Sequence, residues 1–243
     1  MGIRRGPNIV TDGLVFAVDA ANPSSYVSGS SVWKDQTVNQ NNGTLINGRQ
    51  FDPGNGGSIN LDGVNDYIDI GNNSIFSFGD SSNDSAFSVL SWVNMDDATR
   101  FRVFNKGVDF SNNYEYIFST GGSDTITFNL YDSSTGARIG RRYNTALTSY
   151  QGTWIQLVGT YNGSGVSGGI KVYLNGTRVD DFTNNTGTYT AMETSTNVLE
   201  IGASTSDGRY SNGKIANAQI YNKELSSTEV AQNYNALKGR FGL

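Results

Sequence analysis

Glycine and asparagine cut this chain into short β-type runs, and that punctuation limits its fold more than any other feature. Val172-Tyr173-Leu174 and Thr177-Arg178-Val179 are separated only by Asn175-Gly176. Asn and Gly tolerate the positive φ that a two-residue hairpin turn demands, so these runs predict a tight antiparallel hairpin. Leu14, Phe16 and Val18 alternate along one face of an early strand. Further strand-like runs occupy 57–61, 67–70, 87–94, 102–106, 115–120, 125–131 and 138–143, then 154–161, 169–174, 177–181, 198–202 and 213–221. Many short strands with turns between them predict a sandwich or barrel rather than βαβ units. One helix is expected, near the C-terminus. Ser226-Ser227-Thr228-Glu229 fits a capping box, Val230, Tyr234 and Leu237 form an apolar stripe, and Gly239 suits a positive-φ stop.

At 243 residues an all-β chain is commonly one domain. It contains no cysteine and no histidine. Disulfides, thiolate sites, a Ser-His-Asp triad and His-ligated metals are therefore impossible. A net charge of -5 argues against a nucleic-acid partner. No apolar run approaches the roughly 20 residues of a membrane helix, so membrane insertion is not expected. Met1-Gly2-Ile3-Arg4-Arg5-Gly6 lacks the apolar stretch of a signal peptide.

Six segments, in order, resemble one family. They are Trp33-Lys34-Asp35, Asn41-Asn42-Gly43-Thr44-Leu45, Leu61-Asp62-Gly63-Val64-Asn65-Asp66-Tyr67-Ile68, Phe87-Ser88-Val89-Leu90-Ser91-Trp92-Val93, Thr153-Trp154-Ile155-Gln156-Leu157-Val158-Gly159-Thr160-Tyr161, and the stretch from Asn212 to Ser226. Their order and spacing resemble concanavalin A-like, laminin-G-like domains. The resemblance implies an all-β, two-sheet antiparallel jelly-roll sandwich with one short C-terminal helix over residues 13–238. An arm at 1–12 and a short tail at 239–243 would flank it. Trp33, Trp92 and Trp154 fall at family core positions.

The fold hosts glycosidases as well as lectins. Its glucanases carry Glu-x-Asp-x-Glu, which sets carboxylates on one strand face. The glutamates here are Glu115, Glu193, Glu200, Glu224 and Glu229, and none is followed two positions later by Asp. No catalytic residue is therefore expected. The resemblance also implies Ca²⁺ tying the early loop to a later strand. Asp19, Asp35, Asn39 and Asn42, with Asn217, are the candidate oxygen ligands. Asn stands at 217 and 162 where many relatives have Asp, which removes charge from the site. Asp35 and its neighbouring asparagines serve equally well as caps of a turn. Asp62, Asn65 and Asp66 offer a second oxygen cluster, but they read more readily as turn residues.

Saccharides are held by aromatic faces together with planar polar groups. Tyr114, Tyr116, Asn129, Tyr131, Arg138 and Tyr143 in the middle strands are candidates, as are Asp207 and Tyr210, with Arg209 between them, on a late loop. The stretches Gly13–Tyr26 and Gln232–Leu243 resemble laminin-G-like proteins of tailed bacteriophages. The expected function is a non-enzymatic virion component, made in the host cytoplasm, on a capsid, tail or fibre. Its partners would be other virion structural proteins such as a capsid or tail protein, carbohydrate, and further copies of itself. The alternative is a carbohydrate-binding module or adhesin at a cell surface or outside the cell. Ile3, Arg4, Arg5, Phe241 and Leu243 are the expected partner-docking residues, because apolar groups beyond the helix stop would otherwise be exposed.

Overall fold

Where apolar residues alternate, strands form, and their inward faces meet between two sheets. The computed structural model describes residues 7–48, 50–108 and 113–243. Among these the chain builds an eight-stranded sheet and a nine-stranded sheet, with a small hairpin beside them.

The eight-stranded sheet contains β1 (Leu14–Asp19), β4 (Gln50–Asp52), β5 (Ser58–Asp62), β7 (Phe87–Met95), β12 (Trp154–Tyr161), β13 (Ile170–Leu174), β14 (Thr177–Arg178) and β19 (Asn212–Tyr221). Its order is β14-β13-β12-β7-β19-β5-β4, and β1 pairs with the second half of β19. The nine-stranded sheet contains β2 (Val32–Trp33), β3 (Gly43–Ile46), β6 (Tyr67–Gly71), β8 (Arg102–Val108), β9 (Asn113–Thr120), β10 (Ile126–Asp132), β11 (Ala137–Arg142), β15 (Phe182–Thr183) and β16 (Leu199–Ile201). Its order is β15-β11-β10-β9-β8-β16-β6-β3-β2. β17 (Ala203–Ser204) and β18 (Arg209–Tyr210) form the small hairpin.

Asn175 and Gly176 join β13 to β14 with φ of 51° and 79°, the turn their identities predicted. The inner faces supply Phe16, Trp33, Phe87, Phe104, Phe118 and Phe128 to a core between the sheets. A second apolar layer lies on the outer face of the eight-stranded sheet. There Leu90, Trp92, Val158 and Tyr173 pack under the helix α1 (Ser227–Leu237), which contributes Val230. The expected capping box is present, with Ser226 and Glu229 bonding reciprocally.

Three expectations at the chain ends are corrected. Gly239 does not stop the helix in the left-handed region. The chain continues as a 3₁₀ turn over Lys238–Phe241, and Gly242, at φ 76°, takes that conformation. The tighter turn swings Phe241 back onto the sheet. Its ring stacks on Trp92 at 4.3 Å and meets Trp154 at a tilt at 4.7 Å, leaving it 8% exposed. Phe241 is therefore not an exposed docking group, and Trp92 and Trp154 lie in this outer layer rather than between the sheets. Nor is the arm at 1–12 wholly outside the domain. Val10 is buried, its N–H donates to Asn233 Oδ1 at 2.7 Å, and its carbonyl accepts from the Tyr221 hydroxyl at 3.0 Å. Leu243 is exposed, whereas Ile3, Arg4 and Arg5 lie outside the described residues.

Candidate functional site

β10 alternates cleanly. Ile126, Phe128 and Leu130 enter the core, and Thr127, Asn129 and Tyr131 face outward. β11 pairs with it in register, Tyr131 opposite Arg138, Asn129 opposite Gly140 and Thr127 opposite Arg142, so these arginines share the outward face. On β9 the alternation is broken. Lys106 pairs with Tyr116 and Gly107 with Tyr114, leaving Glu115 as the extra residue of a bulge. The bulge separates two tyrosines that simple alternation would put on one face. Tyr116 goes to the core and Tyr114 to the outer side.

The outer face of β8–β11 is the floor of a cleft of about 670 Å³, within the roughly 300–1,000 Å³ usual for small-ligand sites. Tyr114 and Tyr131 stand 5.0 Å apart, tilted by 34°. The Tyr114 hydroxyl donates to Asp207 at 2.9 Å, and Arg102 Nη2 lies 3.5 Å from the same carboxylate. Asp207 arrives on the turn between β17 and β18. At the other side, Asn184 Nδ2 donates to Asn129 Oδ1 at 2.9 Å, and Arg138 Nη2 reaches Asn184 Oδ1 at 3.4 Å. Gly140 permits this: a Cβ there would lie 2.1 Å from Asn129 Oδ1 and 3.0 Å from the Phe128 carbonyl. Burial pushes the Tyr131 hydroxyl pKa up, although Arg138 and Arg102 pull it down, so Tyr131 stays a neutral donor at physiological pH.

Five of the eight sequence candidates for glycan contact meet here: Tyr114, Asn129, Tyr131, Arg138 and Asp207. The other three do not. Tyr116 is in the core, Tyr143 packs against the core's edge, and Tyr210 lies tilted beside Tyr67, ring centres 6.3 Å apart. The sequence reading missed Arg100, Arg102 and Arg142, which line the cleft together with Arg209. Outward alternation in β11 was a signal for Arg142; nothing local marks the other two.

The candidate calcium ligands do not fit the ion. Asp35 is buried, and its two oxygens accept from the amides of Ala17, Thr37 and Asn41 and from the Thr37 hydroxyl, at 2.8–3.0 Å. A carboxylate satisfied by four donors is a turn cap. Asn42 Oδ1 accepts from the Asp35 amide, Asn39 Nδ2 donates to the Val15 carbonyl, and Asp19 pairs with Arg240 at 2.7 Å. Asn217 is buried in β19, where its Oδ1 faces the Trp92 amide at 3.3 Å. Asp62 likewise caps its own turn through the Val64 and Asn65 amides. Among the described residues no three acidic side chains form a metal-holding group.

The fold has many solved counterparts. The binding domain of Paraclostridial Mosquitocidal Protein 1 superposes with a TM-score of 0.65 at 17% identity, covering 92% of this chain and 52% of that one. Domain 4 of the extracellular arabinanase of Geobacillus stearothermophilus, solved with arabinotriose, gives 0.62 at 17% identity, covering 91% of this chain and 98% of that domain. Trypanosoma rangeli sialidase, solved with sialic acid, gives 0.62 at 15% identity, covering 97% of this chain and 35% of that enzyme. The chain thus spans about half the length of the toxin binding domain and about a third of the sialidase. Most of these similar structures are binding domains. No curated protein matches the sequence. The family model described as the concanavalin A-like lectin/glucanases superfamily matches residues 62–231, and the chain belongs to that superfamily.

Proposed function

We propose that the protein is a non-catalytic carbohydrate-binding domain whose site is the outer cleft of the nine-stranded sheet. The carrying observation is the convergence of the Tyr131 ring, the Asn129–Asn184 amide pair and arginines on a floor of rigid strands. An apolar ring with fixed planar donors and acceptors beside it is the chemistry that grips a pyranose. Of the cleft's two acids, Asp132 is poorly suited to glycosidic cleavage, which requires a protonated carboxyl as acid. Burial raises the Asp132 pKa, but hydrogen bonds from the Thr190 amide, Ser134 and Thr135 outweigh it and hold the carboxyl below its ordinary value. Both oxygens of Asp207 accept from Tyr114.

Support comes also from two structures sharing the fold, one solved with arabinotriose and one with sialic acid. Display on a bacteriophage particle, with capsid or tail proteins as partners, is a separate proposal carried only by the resemblance of the chain's ends. Affinity electrophoresis through gels containing neutral and acidic polysaccharides tests the binding reading. At least one polysaccharide should retard the protein and release no new reducing ends, and Tyr131→Ala should abolish retardation without altering the melting curve by more than a few degrees. Retardation by none, or retardation unchanged in Tyr131→Ala, refutes it.

A further inference from the structure

The cleft carries far more positive charge than the molecule around it. Arg100, Arg102, Arg138, Arg142 and Arg209 line it, against Asp132 and Asp207. The whole chain bears -5, so everything outside the cleft is more negative still. Asp207 is engaged with Arg102 and Tyr114, and Asp132 is capped by Ser134 and Thr190. Neither aspartate contacts Arg138 or Arg142 in any ion pair found among the described residues. The Nε atoms of Arg102, Arg138 and Arg142 are buried and have no hydrogen-bond partner among the described residues. Arg138 and Arg142, each with such a donor and with no ion pair among the described residues, carry charge that the protein leaves uncompensated, and an anion in the cleft would compensate it. Arg142 is held in place from outside, with its guanidinium 4.2 Å from the centre of the Phe182 ring.

Resting on the carbohydrate-binding reading, we infer that the cleft selects a compact acidic saccharide, its carboxylate or sulfate held by Arg138 and Arg142 while Tyr131 meets the sugar ring. Arginine forks fit both oxyanions. A long polyanion such as nucleic acid would extend beyond the cleft over acidic surface and be repelled.

The test is a printed array carrying lactose and maltotriose, 3′-sialyllactose and trigalacturonate as carboxylates, and 3′-sulfolactose as a sulfate ester, with a ten-nucleotide oligothymidylate alongside. Binding confined to the carboxylate or the sulfate spots supports the inference and tells the two acids apart. Titration of the best-bound saccharide should then show Arg138→Gln and Arg142→Gln each weakening it by about tenfold or more, the loss of one charge-assisted hydrogen bond. Arg138→Lys should recover part of that loss, and Lys34→Gln, outside the cleft, should change nothing. Neutral spots bound as well as acidic ones, with Tyr131→Ala abolishing both, would overturn the inference while leaving the carbohydrate reading intact. Oligothymidylate bound as tightly as any saccharide also overturns it. No saccharide bound at all overturns both.

Discussion

The two sheets of this sandwich present opposite outer faces. That of the eight-stranded sheet is apolar and sealed: Trp92 lies under α1 and the returning tail, stacked on Tyr234 at 5.6 Å and on Phe241. That of the nine-stranded sheet is polar and open, a cleft of arginine, tyrosine and asparagine. The strands themselves show the difference. In β7 both faces are buried almost throughout, whereas β10 buries alternate residues and leaves Asn129 and Tyr131 part-exposed. A sheet face that is covered contributes stability; one left open with unpaired donors is available for recognition. Arg240 ties the cover down, donating to the Gly57 and Asn55 carbonyls and pairing with Asp19.

Substitutions should therefore separate into those that lower stability and those that lower binding. Trp92→Ala is expected to have the largest effect. The side chain is fully buried, and emptying that layer should cost about 3–5 kcal/mol in a urea melt, with saccharide affinity of the remaining folded protein unchanged. Affinity lost in proportion would show that the two faces are coupled.

Gly140→Ala should affect both properties. The new methyl would clash with Asn129 Oδ1 and the Phe128 carbonyl, costing about 1–3 kcal/mol by overpacking and displacing Asn129 from the cleft. Unaltered stability would mean that Asn129 moves aside freely.

The double variant Arg138→Gln, Arg142→Gln should do the reverse of Trp92→Ala. Each removes a buried Nε donor with no hydrogen-bond partner among the described residues, against one long bond from Arg138 to Asn184 and the Arg142 contact with Phe182, so stability should shift by no more than about 1 kcal/mol, while acidic-saccharide binding disappears in calorimetry. A marked fall in melting temperature would identify these arginines as structural.

The smallest effect is expected at the rim of the cover. Lys223 bonds the Glu229 carboxylate at 2.8 Å and lowers its pKa; slight burial opposes this, and Ser226 adds to the lowering. A folded-state pKa below the ordinary 4.5 means that the stabilisation is present above that value and is lost as the pH falls through the lowered one. Glu229→Gln should cost up to about 1 kcal/mol at neutral pH, and wild type and variant should converge in acid. Curves that stay apart below pH 4 would assign the difference to the cap's geometry rather than its charge.

Much of the architecture was legible beforehand. Thirteen of the strands, the Asn175-Gly176 hairpin and the Ser226–Glu229 cap rest on neighbours within a few residues, where side-chain periodicity and turn chemistry act directly. The short strands β2, β3, β4, β15, β17 and β18 were not foreseen, since two to four residues show no measurable period. At the cleft, Asn129, Tyr131 and Arg138 were identified by residue type on neighbouring strands. Tyr116 was grouped wrongly with Tyr114 because a bulge has no dependable sequence mark. Asp35 was open between ion ligand and turn cap, and only the donors around it decided between them.

The sequence by itself determined the β class, the single capped helix, and the lack of a histidine or thiol for catalysis. These follow from composition and local period. The tertiary structure alone decided which outer face is sealed and which stays open. It brought Asp207 to Tyr114 across 93 positions, returned Phe241 to Trp92, and gathered five arginines around one cleft of an acidic protein. Such meetings depend on register and on where bulges reset it, and a one-residue shift in either turns a side chain to the opposite face.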